Sequence, residues 1–355
     1  MLKLDLKMQG PAHEIMVGDR APDFILPGPD GKFYQFYDRT KGRPLVLIFY
    51  PQKDSGAWRE VQGFVQRSAE FEYLGVDIFA INLAACKDNK RLQLPFLVWS
   101  DLNQKITEHY LRGAGVRAGS LRTINIFLLD ANQRVLDFKT GAQVGLAESV
   151  YEFYKEQPKP PKSQILSANA PVLLLPNLID PGMRQDLMAL WNQGKHDESK
   201  VVSVVGDKEV VRTHTKVKKR RDYPIMDVNL HKMLQQTIGR RLAPELAKVF
   251  HFEGFRFDRF VVVCYDAERG DYFRIHRDNL SPTTADRAFA LTLNLNVEEY
   301  EGGELVFPEY GPHKYQPKSG GGILFSCSLM HEALPVRKGR RFALLTFLRT
   351  LSKKS

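Results

Sequence analysis

The chain has 355 residues, of which 51 are Lys or Arg and 41 are Asp or Glu, and its formal net charge is +10. At roughly 100–200 residues per domain, this length predicts two domains. The hydrophobic content of 43% and the charged content of 26% are those of globular proteins, which excludes a fibrous or wholly disordered chain. No apolar run approaches the roughly 18 residues of a membrane helix, so we expect no membrane association.

The N-terminus and the cysteines indicate the compartment. The first ten residues, MLKLDLKMQG, lack the apolar core of a signal peptide. Cys86, Cys264 and Cys327 show neither CxxC nor Cys/His zinc spacing, and their odd number argues against a disulfide framework. We therefore predict a cytoplasmic protein in which Cys264 and Cys327 pack within core strands.

A proline-rich segment divides the chain. Residues 157–163, QPKPPKS, combine three prolines with two lysines, a composition that favours an extended spacer over a helix or a central strand. We therefore predict a first domain over residues 1–157, a linker over 158–168 and a second domain over 169–355.

The first half alternates strand-like and helix-like segments. Short apolar runs at Pro44–Tyr50, Val76–Leu83 and Ile124–Leu129 predict buried strands, and Val135–Phe138 is a candidate hairpin partner of the third. Between the first two runs, Trp58–Tyr73 has the apolar spacing of one helix. Strands separated by helices predict an α/β domain with some parallel pairing.

The second half begins with helices and continues as strands. We predict a strand at Pro171–Leu175 and helices at Pro181–Trp191 and Val228–Val249, the second with apolar residues four apart. Residues Phe289–Val297 alternate with period two, which predicts a half-buried strand. Shorter strand-like segments follow at Glu304–Phe307, Gly322–Ser326 and Arg341–Arg349. Short strands separated by Gly and Pro turns predict a sandwich or jelly roll.

Two histidines and one aspartate in the second half have the composition of a metal site. His276 and Asp278 lie two residues apart at the end of a strand-like segment, where alternate side chains share one face. His331 follows near another strand-like segment, and two imidazoles with one carboxylate form the triad that holds Fe(II) in non-haem oxygenases. Arg341, ten residues further on, is a fixed cation that could pair bidentately with the carboxylate of a co-substrate.

Three segments around these residues resemble a known family. YDAERGDYFRIHRDN, LNLNVEEYEGGELVFPEYG and GGGILFSCSLMHEALPVRKGRRFALLTF are similar to the double-stranded β-helix core of 2-oxoglutarate/Fe(II) dioxygenases of the prolyl 4-hydroxylase-like branch. The resemblance implies that His276, Asp278 and His331 ligate iron. It also implies that Arg341 binds the distal carboxylate of 2-oxoglutarate and that Tyr265 hydrogen-bonds this co-substrate.

The same resemblance implies the reaction class. Iron, 2-oxoglutarate and O2 would hydroxylate an unactivated C–H bond with release of succinate and CO2, and ascorbate is a candidate reductant of the iron. A prolyl or other residue of a peptide or protein is the expected substrate, with a free amino acid or natural product as the alternative. Nucleic acid is not expected, because dealkylating relatives carry a second Arg six residues after the first, where this chain has Phe347.

A basic run precedes the candidate site. Arg212, Lys216 and the four residues 218–221 are all cationic, and such a run is ordinarily a solvated face. The alternative is a docking surface that borders the active site and attracts an acidic partner or substrate.

The first half resembles the thioredoxin-fold peroxiredoxins in VGDRAPDF, PLVLIFYPQKDSGAWREVQGF and LRTINIFLLDANQRV. That family needs Pro-x-x-x-Thr-x-x-Cys, with the thiolate at the start of a helix. This chain has Pro51, then Ser55 in place of Thr and Trp58 in place of Cys. We therefore predict a domain without peroxidase activity that serves as a docking module or a dimer interface.

Two other hypotheses remain open at this stage. Cys86 follows a strand-like segment and could begin a helix, so a thiol peroxidase that uses Cys86 is one alternative. The other is a binding protein in which neither domain is catalytic.

Overall fold

The computed structural model describes residues 15–51, 56–115, 123–141, 145–159, 162–199, 201–205, 208–212 and 216–351. The chain divides into two compact units, Met1–Lys162 and Ser163–Ser355. The predictions for the first ten residues and for Ser55 lie outside the described residues. Within the described ranges, no helix is both long enough and apolar enough to span a membrane.

The first unit contains strands and helices in alternation. Its strands are β1 (Ile25–Pro27), β2 (Phe33–Gln35), β3 (Leu45–Phe49), β4 (Asp77–Asn82), β5 (Leu97–Ser100), β6 (Asn125–Leu129) and β7 (Val135–Thr140). Its helices are α1 (Phe36–Arg39), α2 (Ala57–Gln66), α3 (Ser68–Leu74), α4 (Cys86–Leu92), α5 (Lys105–Gly113) and α6 (Leu146–Lys155).

A mixed five-stranded sheet in the order β5-β4-β3-β6-β7 organises this unit. Strand β3 pairs in parallel with β4 and antiparallel with β6, and β6 and β7 form the predicted hairpin. Alternate residues of β3 face opposite sides, so that Val46 and Ile48 enter one core while Leu45 and Leu47 enter the other. The sheet is therefore covered on both faces, and the predicted thioredoxin-like α/β fold is confirmed.

The prediction of one helix over Trp58–Tyr73 is wrong, because α2 and α3 meet at a bend. Arg67 joins them with φ −96° and ψ 6°, outside the helical region. Phe64 and Phe71 nevertheless share one core, with ring centroids 5.8 Å apart. Residues seven apart lie on the same face of an ideal helix, so the apolar pattern is the same with or without a bend.

The second unit is mostly strands. They are β8 (Leu173–Leu175), β9 (Asp197–Glu198), β10 (Val201–Val205), β11 (Lys208–Arg212), β12 (Lys218–Lys219), β13 (Arg221–Pro224), β14 (Phe255–Phe257), β15 (Val261–Asp266), β16 (Tyr272–His276), β17 (Arg287–Asn294), β18 (Glu301–Gly302), β19 (Leu305–Val306), β20 (Lys314–Tyr315), β21 (Gly322–Ser326), β22 (His331–Ala333), β23 (Val336–Lys338) and β24 (Arg340–Thr350). Two helices, α7 (Pro181–Gln193) and α8 (Val228–Phe250), precede most of them.

These strands form two main antiparallel sheets. The larger sheet has the order β8-β21-β17-β24-β15-β13-β9, with β14 also on β24, and the smaller has the order β12-β16-β22-β19-β20. Residues from both sheets, including Val263, Phe325 and Ala333, form one core. This confirms the predicted double-stranded β-helix.

The two helices cover the other face of the larger sheet. Leu234, Ile238, Leu242 and Leu246 of α8 are fully buried with strand residues of that sheet, as their spacing predicted. The Asp227 carboxylate accepts a hydrogen bond from the Leu230 N–H at 2.7 Å and so caps the start of α8. The larger sheet is therefore buried on both faces, which gives the cavity between the sheets a rigid wall.

Candidate metal centre

The structure brings the three predicted ligands together. His276 ends β16 and His331 begins β22, and the two histidines are direct partners in the antiparallel pairing of these strands. One ligand atom from each histidine and one from Asp278 all lie within 4.8 Å of one another. Two imidazoles and one carboxylate are the donor set of a non-haem Fe(II) triad.

The position of Asp278 in this cluster does not come from the alternation of side chains along a strand. Strand β16 ends at His276, so the argument that both residues share one strand face is wrong for Asp278. Its backbone N–H instead donates to the carbonyl of Cys327 at 3.0 Å, which holds the chain beside the end of β21. The carboxylate oxygens then lie 3.4 Å from Nε2 of His276 and 3.4 Å from Nε2 of His331.

Backbone carbonyls fix the tautomers of both histidines. Nδ1 of His276 lies 2.7 Å from the carbonyl oxygen of Arg274, and Nδ1 of His331 lies 3.0 Å from that of Leu329. A carbonyl can only accept, so each Nδ1 carries a proton and each Nε2 presents a lone pair. Two lone pairs and a carboxylate that converge on one point repel one another unless a cation lies between them.

Charge states in the cluster agree with this arrangement. Burial lowers the pKa of His331 to about 4, which keeps its imidazole neutral near pH 7. Burial raises the pKa of Asp278, but the polar and charged groups around it, Arg287 among them, outweigh this effect, and the pKa is below its usual value. A neutral imidazole and an ionised carboxylate are the forms that bind metal.

Aromatic rings hold the imidazoles in place. The Phe273 ring stacks on His276 with centroids 3.5 Å apart, and Phe325 lies 4.6 Å from His331. Because these apolar rings exclude water from one side of the cluster, they strengthen the electrostatic interactions within it.

The larger sheet contributes the predicted co-substrate residues. Tyr265 of β15 and Arg341 of β24 are direct partners in the sheet, and each is only 3% exposed. The guanidinium carbon of Arg341 lies 5.2 Å from the Tyr265 ring centroid, and its Nη2 donates to Oδ1 of Asn294 at 3.2 Å. Its Nε is buried without a hydrogen-bond partner, and among the described residues no carboxylate pairs with Arg341. A buried cation in this state is suited to an anionic ligand.

The prediction that the basic run is a solvated face is wrong for Lys218 and Arg220. Lys218 is 8% exposed and Arg220 is 5% exposed, because the chain is extended here and alternate side chains point inward. The side chains of residues 201–215, including Arg212, lie outside the description. Sequence reasoning missed this pair because a run of charges gives no hydrophobic alternation.

Arg220 connects the run to the co-substrate residues. Its Nη1 donates to the Tyr265 hydroxyl at 2.6 Å, and its Nε donates to Oδ1 of Asp222 at 2.8 Å. The Ser199 hydroxyl also donates to Asp222. Within the described ranges the Tyr265 hydroxyl donates its own proton to no protein acceptor, so this proton is available to a ligand.

The three candidate iron ligands, Tyr265, Arg341 and the buried pair Lys218 and Arg220 line one cavity of about 630 Å³ between the two sheets. Six cationic residues line it, against two carboxylates, Asp222 and Asp278. The cationic residues are Lys218, Arg220, Arg259, Arg277, Arg287 and Arg341. The cavity therefore favours anionic ligands.

The first unit lacks a thiol at the position of the peroxidatic cysteine. Trp58, the second residue of α2, is half-buried against Tyr50, with ring centroids 6.1 Å apart. Cys86 is half-buried as the first residue of α4. Cys264 and Cys327 are buried, and burial raises the pKa of Cys264 to about 12 and that of Cys327 further. The two thiols of the second unit are thus protonated core residues.

The two folds and the His-Asp-His cluster define a non-haem oxygenase domain preceded by a thioredoxin-like domain. The 2OG-Fe(II) oxygenase superfamily matches residues 260–349, and the AhpC/TSA family matches residues 17–137. The chain therefore combines an N-terminal AhpC/TSA peroxiredoxin domain with a C-terminal 2OG-Fe(II) oxygenase domain, as both resemblances implied.

Relatives are similar to one or the other half. A PKHD-type hydroxylase of Saccharophagus degradans is 33% identical over 96 residues, 25% of this chain and 42% of that protein. Peroxiredoxin Q of Oryza sativa subsp. japonica is 29% identical over 127 residues, 34% of this chain and 56% of that protein. The chain thus spans about half the length of these relatives. A solved Pseudomonas putida prolyl-4-hydroxylase is 16% identical, with 51% of this chain and 93% of that chain covered and a TM-score of 0.38.

Proposed function

We propose that the C-terminal domain is an Fe(II)- and 2-oxoglutarate-dependent dioxygenase that hydroxylates an unactivated C–H bond. One observation carries the proposal. The donor atoms of His276, Asp278 and His331 converge within 4.8 Å in a cavity that also contains the buried, carboxylate-free guanidinium of Arg341.

The donor set fits Fe(II). Both Nε2 atoms are deprotonated because both Nδ1 atoms donate to carbonyls, and the Asp278 carboxylate completes the set. Three protein ligands leave coordination positions open for a bidentate co-substrate and for O2. A bound cation would also remove the repulsion between these electron-rich atoms.

The opposite wall fits 2-oxoglutarate. The Arg341 guanidinium supplies a buried positive charge with a free N–H, and the Tyr265 hydroxyl supplies a proton donor that Arg220 holds in place. These groups can bind and orient the distal carboxylate of the co-substrate, and the aromatic wall around the imidazoles excludes water. When bound, iron with 2-oxoglutarate and O2 supplies the oxidising power and yields succinate and CO2.

For the substrate we propose a prolyl or other residue of a peptide or protein. The PKHD-type hydroxylase names of the sequence relatives support this choice, and a free amino acid or a natural product is the alternative. We do not propose nucleic acid, since Phe347 occupies the position of the second Arg of dealkylating enzymes. Its ring lies 3.7 Å from the Arg287 guanidinium carbon. Ascorbate is the proposed reductant of the iron between turnovers.

We further propose that the N-terminal domain is a docking module or dimer interface without peroxidase activity. The half-buried Trp58 side chain supports this proposal, because an indole cannot attack a peroxide as a thiolate does. Cys86 remains the one thiol of that domain, and a peroxide assay tests it directly.

An anaerobic titration tests the oxygenase proposal. Apoprotein is titrated with Fe(II) and 2-oxoglutarate while the weak visible charge-transfer band of the chelate is recorded. We expect the band in the wild type and in His313→Ala, an exposed histidine outside the cluster that serves as the matched control. We expect no band in His276→Ala, and Arg341→Met should need far more 2-oxoglutarate. A folded wild-type protein that gives no band would refute the proposal.

A further inference from the structure

One carboxylate ties together the two segments that carry the candidate iron ligands. Oε1 of Glu309 accepts a hydrogen bond from Nη2 of Arg277 at 2.6 Å, and Oε2 accepts one from the backbone N–H of Met330 at 2.8 Å. Arg277 belongs to the first ligand segment, residues 276–279, and Met330 belongs to the second, residues 328–331. We propose that Glu309 is a positioning residue that bridges these segments and fixes the arrangement of their metal ligands. This inference rests on the proposed function, which assigns the three ligands to iron.

Glu309 lies in a turn that the core of the second unit holds in place. Strand β19 precedes this turn and pairs with β22, the strand that His331 begins. Phe307 then enters the core between the sheets, where it is 1% exposed and its ring centroid lies 5.1 Å from that of Phe325. A hydrogen bond to the Phe307 carbonyl closes the turn Pro308–Tyr310, in which the proline fixes its own φ. The backbone of Glu309 is therefore a fixed point beside the second ligand segment.

Arg277 and Asn279 extend the bridge to both sides of Asp278. Nη1 of Arg277 donates to the backbone carbonyl of Ser328, while its Nη2 donates to Glu309. The side-chain amide of Asn279 donates to the Ser328 hydroxyl at 2.7 Å. The residues before and after Asp278 are therefore both bonded to Ser328 of the second ligand segment.

Asp278 is the ligand that depends most on this bridge. The two histidines are direct partners in the pairing of β16 with β22, so the sheet already sets the distance between them. Strand β16 ends at His276, and Asp278 lies beyond the end of this pairing. Its position is set by the bond from its own N–H to the Cys327 carbonyl and by the bonds of its two neighbours. Loss of the bridge should therefore displace the Asp278 carboxylate relative to the two imidazoles.

The bridge requires both oxygens of a carboxylate. One oxygen of Glu309 faces a guanidinium N–H and the other faces a backbone N–H, so both positions need an acceptor. A side-chain amide offers one acceptor oxygen and one NH2 donor. In Glu309→Gln one of the two bonds is therefore lost and the NH2 group faces another donor, although the size of the side chain is nearly unchanged.

The bridge should matter more for the metal centre than for the stability of the fold. The side chains of Arg277 and Glu309 are 29% and 34% exposed, and an ion pair in such a position contributes little to the free energy of unfolding. When the two ligand segments are free to move apart, however, a bound metal must order them, and this cost lowers its affinity. Groups that orient metal ligands without binding the metal typically change metal affinity by about 10- to 100-fold. We expect the lower end of this range, because Glu309 acts on the backbone instead of on a ligand side chain.

The test measures Mn(II) binding to the metal-free protein. The Kd for Mn(II) is obtained by titration calorimetry, the bound ion is observed by electron paramagnetic resonance, and the melting temperature is recorded without metal. 2-Oxoglutarate is left out, because Arg277 lines the cavity and its charge could also attract the co-substrate. The variants are Glu309→Gln, Arg277→Met and the double variant. The matched control is Glu298→Gln, an exposed glutamate whose carboxylate accepts from the Ser319 hydroxyl at 2.6 Å instead of from a ligand segment.

We expect Glu309→Gln to raise the Kd for Mn(II) about tenfold, while its metal-free melting temperature stays close to that of the wild type. The resonance of the bound Mn(II) should broaden, because the ligands then occupy a wider range of positions. Arg277→Met should weaken binding at least as much, since it also loses the bond to Ser328. The double variant should be no weaker than Arg277→Met, because both changes remove the same bridge. Glu298→Gln should leave the Kd, the spectrum and the melting temperature unchanged.

Three results would overturn the inference. An unchanged Kd for Mn(II) in a folded Glu309→Gln protein would mean that the carboxylate does not position the ligands, and the proposed function would stand. Strict additivity of Glu309→Gln and Arg277→Met would mean that the two side chains do not act through one bridge. A Glu309→Gln protein whose metal-free melting temperature falls while its Kd and its spectrum stay unchanged would make Glu309 a residue of the fold alone. If the wild type itself binds no Mn(II), the proposed function falls first and the inference falls with it.

Discussion

Arg220 should control 2-oxoglutarate affinity although it need not touch the co-substrate. It donates to the Tyr265 hydroxyl at 2.6 Å while its Nε donates to Asp222 at 2.8 Å. We consider the change Arg220→Lys, which keeps the charge beside Asp222. An ammonium on a flexible stem lacks the rigid fork that reaches both partners, so the hold on Tyr265 is lost.

The size of the effect follows from the bond that is lost. A buried hydrogen bond that involves a charged group contributes about 1.5–3 kcal/mol. If this energy serves to hold the Tyr265 hydroxyl toward the co-substrate, the Kd for 2-oxoglutarate should rise about 10- to 100-fold. Stability should change less than in a charge deletion, because Asp222 keeps Lys218, 3.8 Å away, and a cation at position 220.

A double-mutant cycle tests whether Arg220 acts on 2-oxoglutarate binding through the Tyr265 hydroxyl or independently of it. The Kd for 2-oxoglutarate is measured from the charge-transfer band for Arg220→Lys, Tyr265→Phe and the double variant. If Arg220 acts through the Tyr265 hydroxyl, Tyr265→Phe removes the benefit of Arg220 and the double variant is no weaker than the weaker single variant. The matched control is Arg221→Lys, whose side chain pairs with Asp266 outside the cavity.

Two results would refute this reasoning. One is an unchanged Kd for 2-oxoglutarate in a folded Arg220→Lys protein, which would mean that the Tyr265 hydroxyl needs no partner. The other is strict additivity of the two single variants in the cycle, which would mean that Arg220 acts on the co-substrate independently of Tyr265.

Two further predictions concern the candidate iron ligands and the first unit. His331→Ala should lose Mn(II) binding measured by electron paramagnetic resonance, whereas the exposed His313→Ala should keep it; retained binding in the first would exclude His331 as a ligand. Peroxide should not be consumed catalytically in the presence of a thiol reductant, and Cys86→Ser should leave the rate unchanged; turnover that Cys86→Ser abolishes would restore the thiol peroxidase hypothesis.

The sequence was sufficient for the triad because the required information is local. His276 and His331 each lie at a strand end, and together with Asp278 they have the residue types of a non-haem iron site. Arg341 is found by its spacing from His331 and by the apolar strand that follows it. The sequence did not predict the hydrogen bond that positions Asp278, because the Cys327 carbonyl that accepts it belongs to a segment distant in sequence.

The burial of two residues of the basic run, in contrast, could not be predicted from the sequence. Burial of Lys218 and Arg220 depends on Asp222 and on the Tyr265 hydroxyl, which come together only when β13 pairs with β15. A strand is normally recognised by the alternation of apolar and polar residues. This signal is absent in a run of cationic residues, since inward and outward positions have the same polarity. The usual rule that cations are exposed then gives the wrong answer, as it does wherever a cation is buried for a ligand.

The N-terminal domain shows that a fold and its chemistry can be separated. Its two cores depend on residues such as Val46 and Ile48 on one side of β3 and Leu45 and Leu47 on the other. None of these contacts requires a thiol at position 58, where Trp58 instead adds apolar contact with one core. The core of this fold is thus independent of the residue at the position of the peroxidatic cysteine. In the oxygenase domain, by contrast, the residues of the proposed chemistry are themselves part of the fold, because the His-Asp-His cluster, Arg341 and Tyr265 all line the same cavity between its sheets.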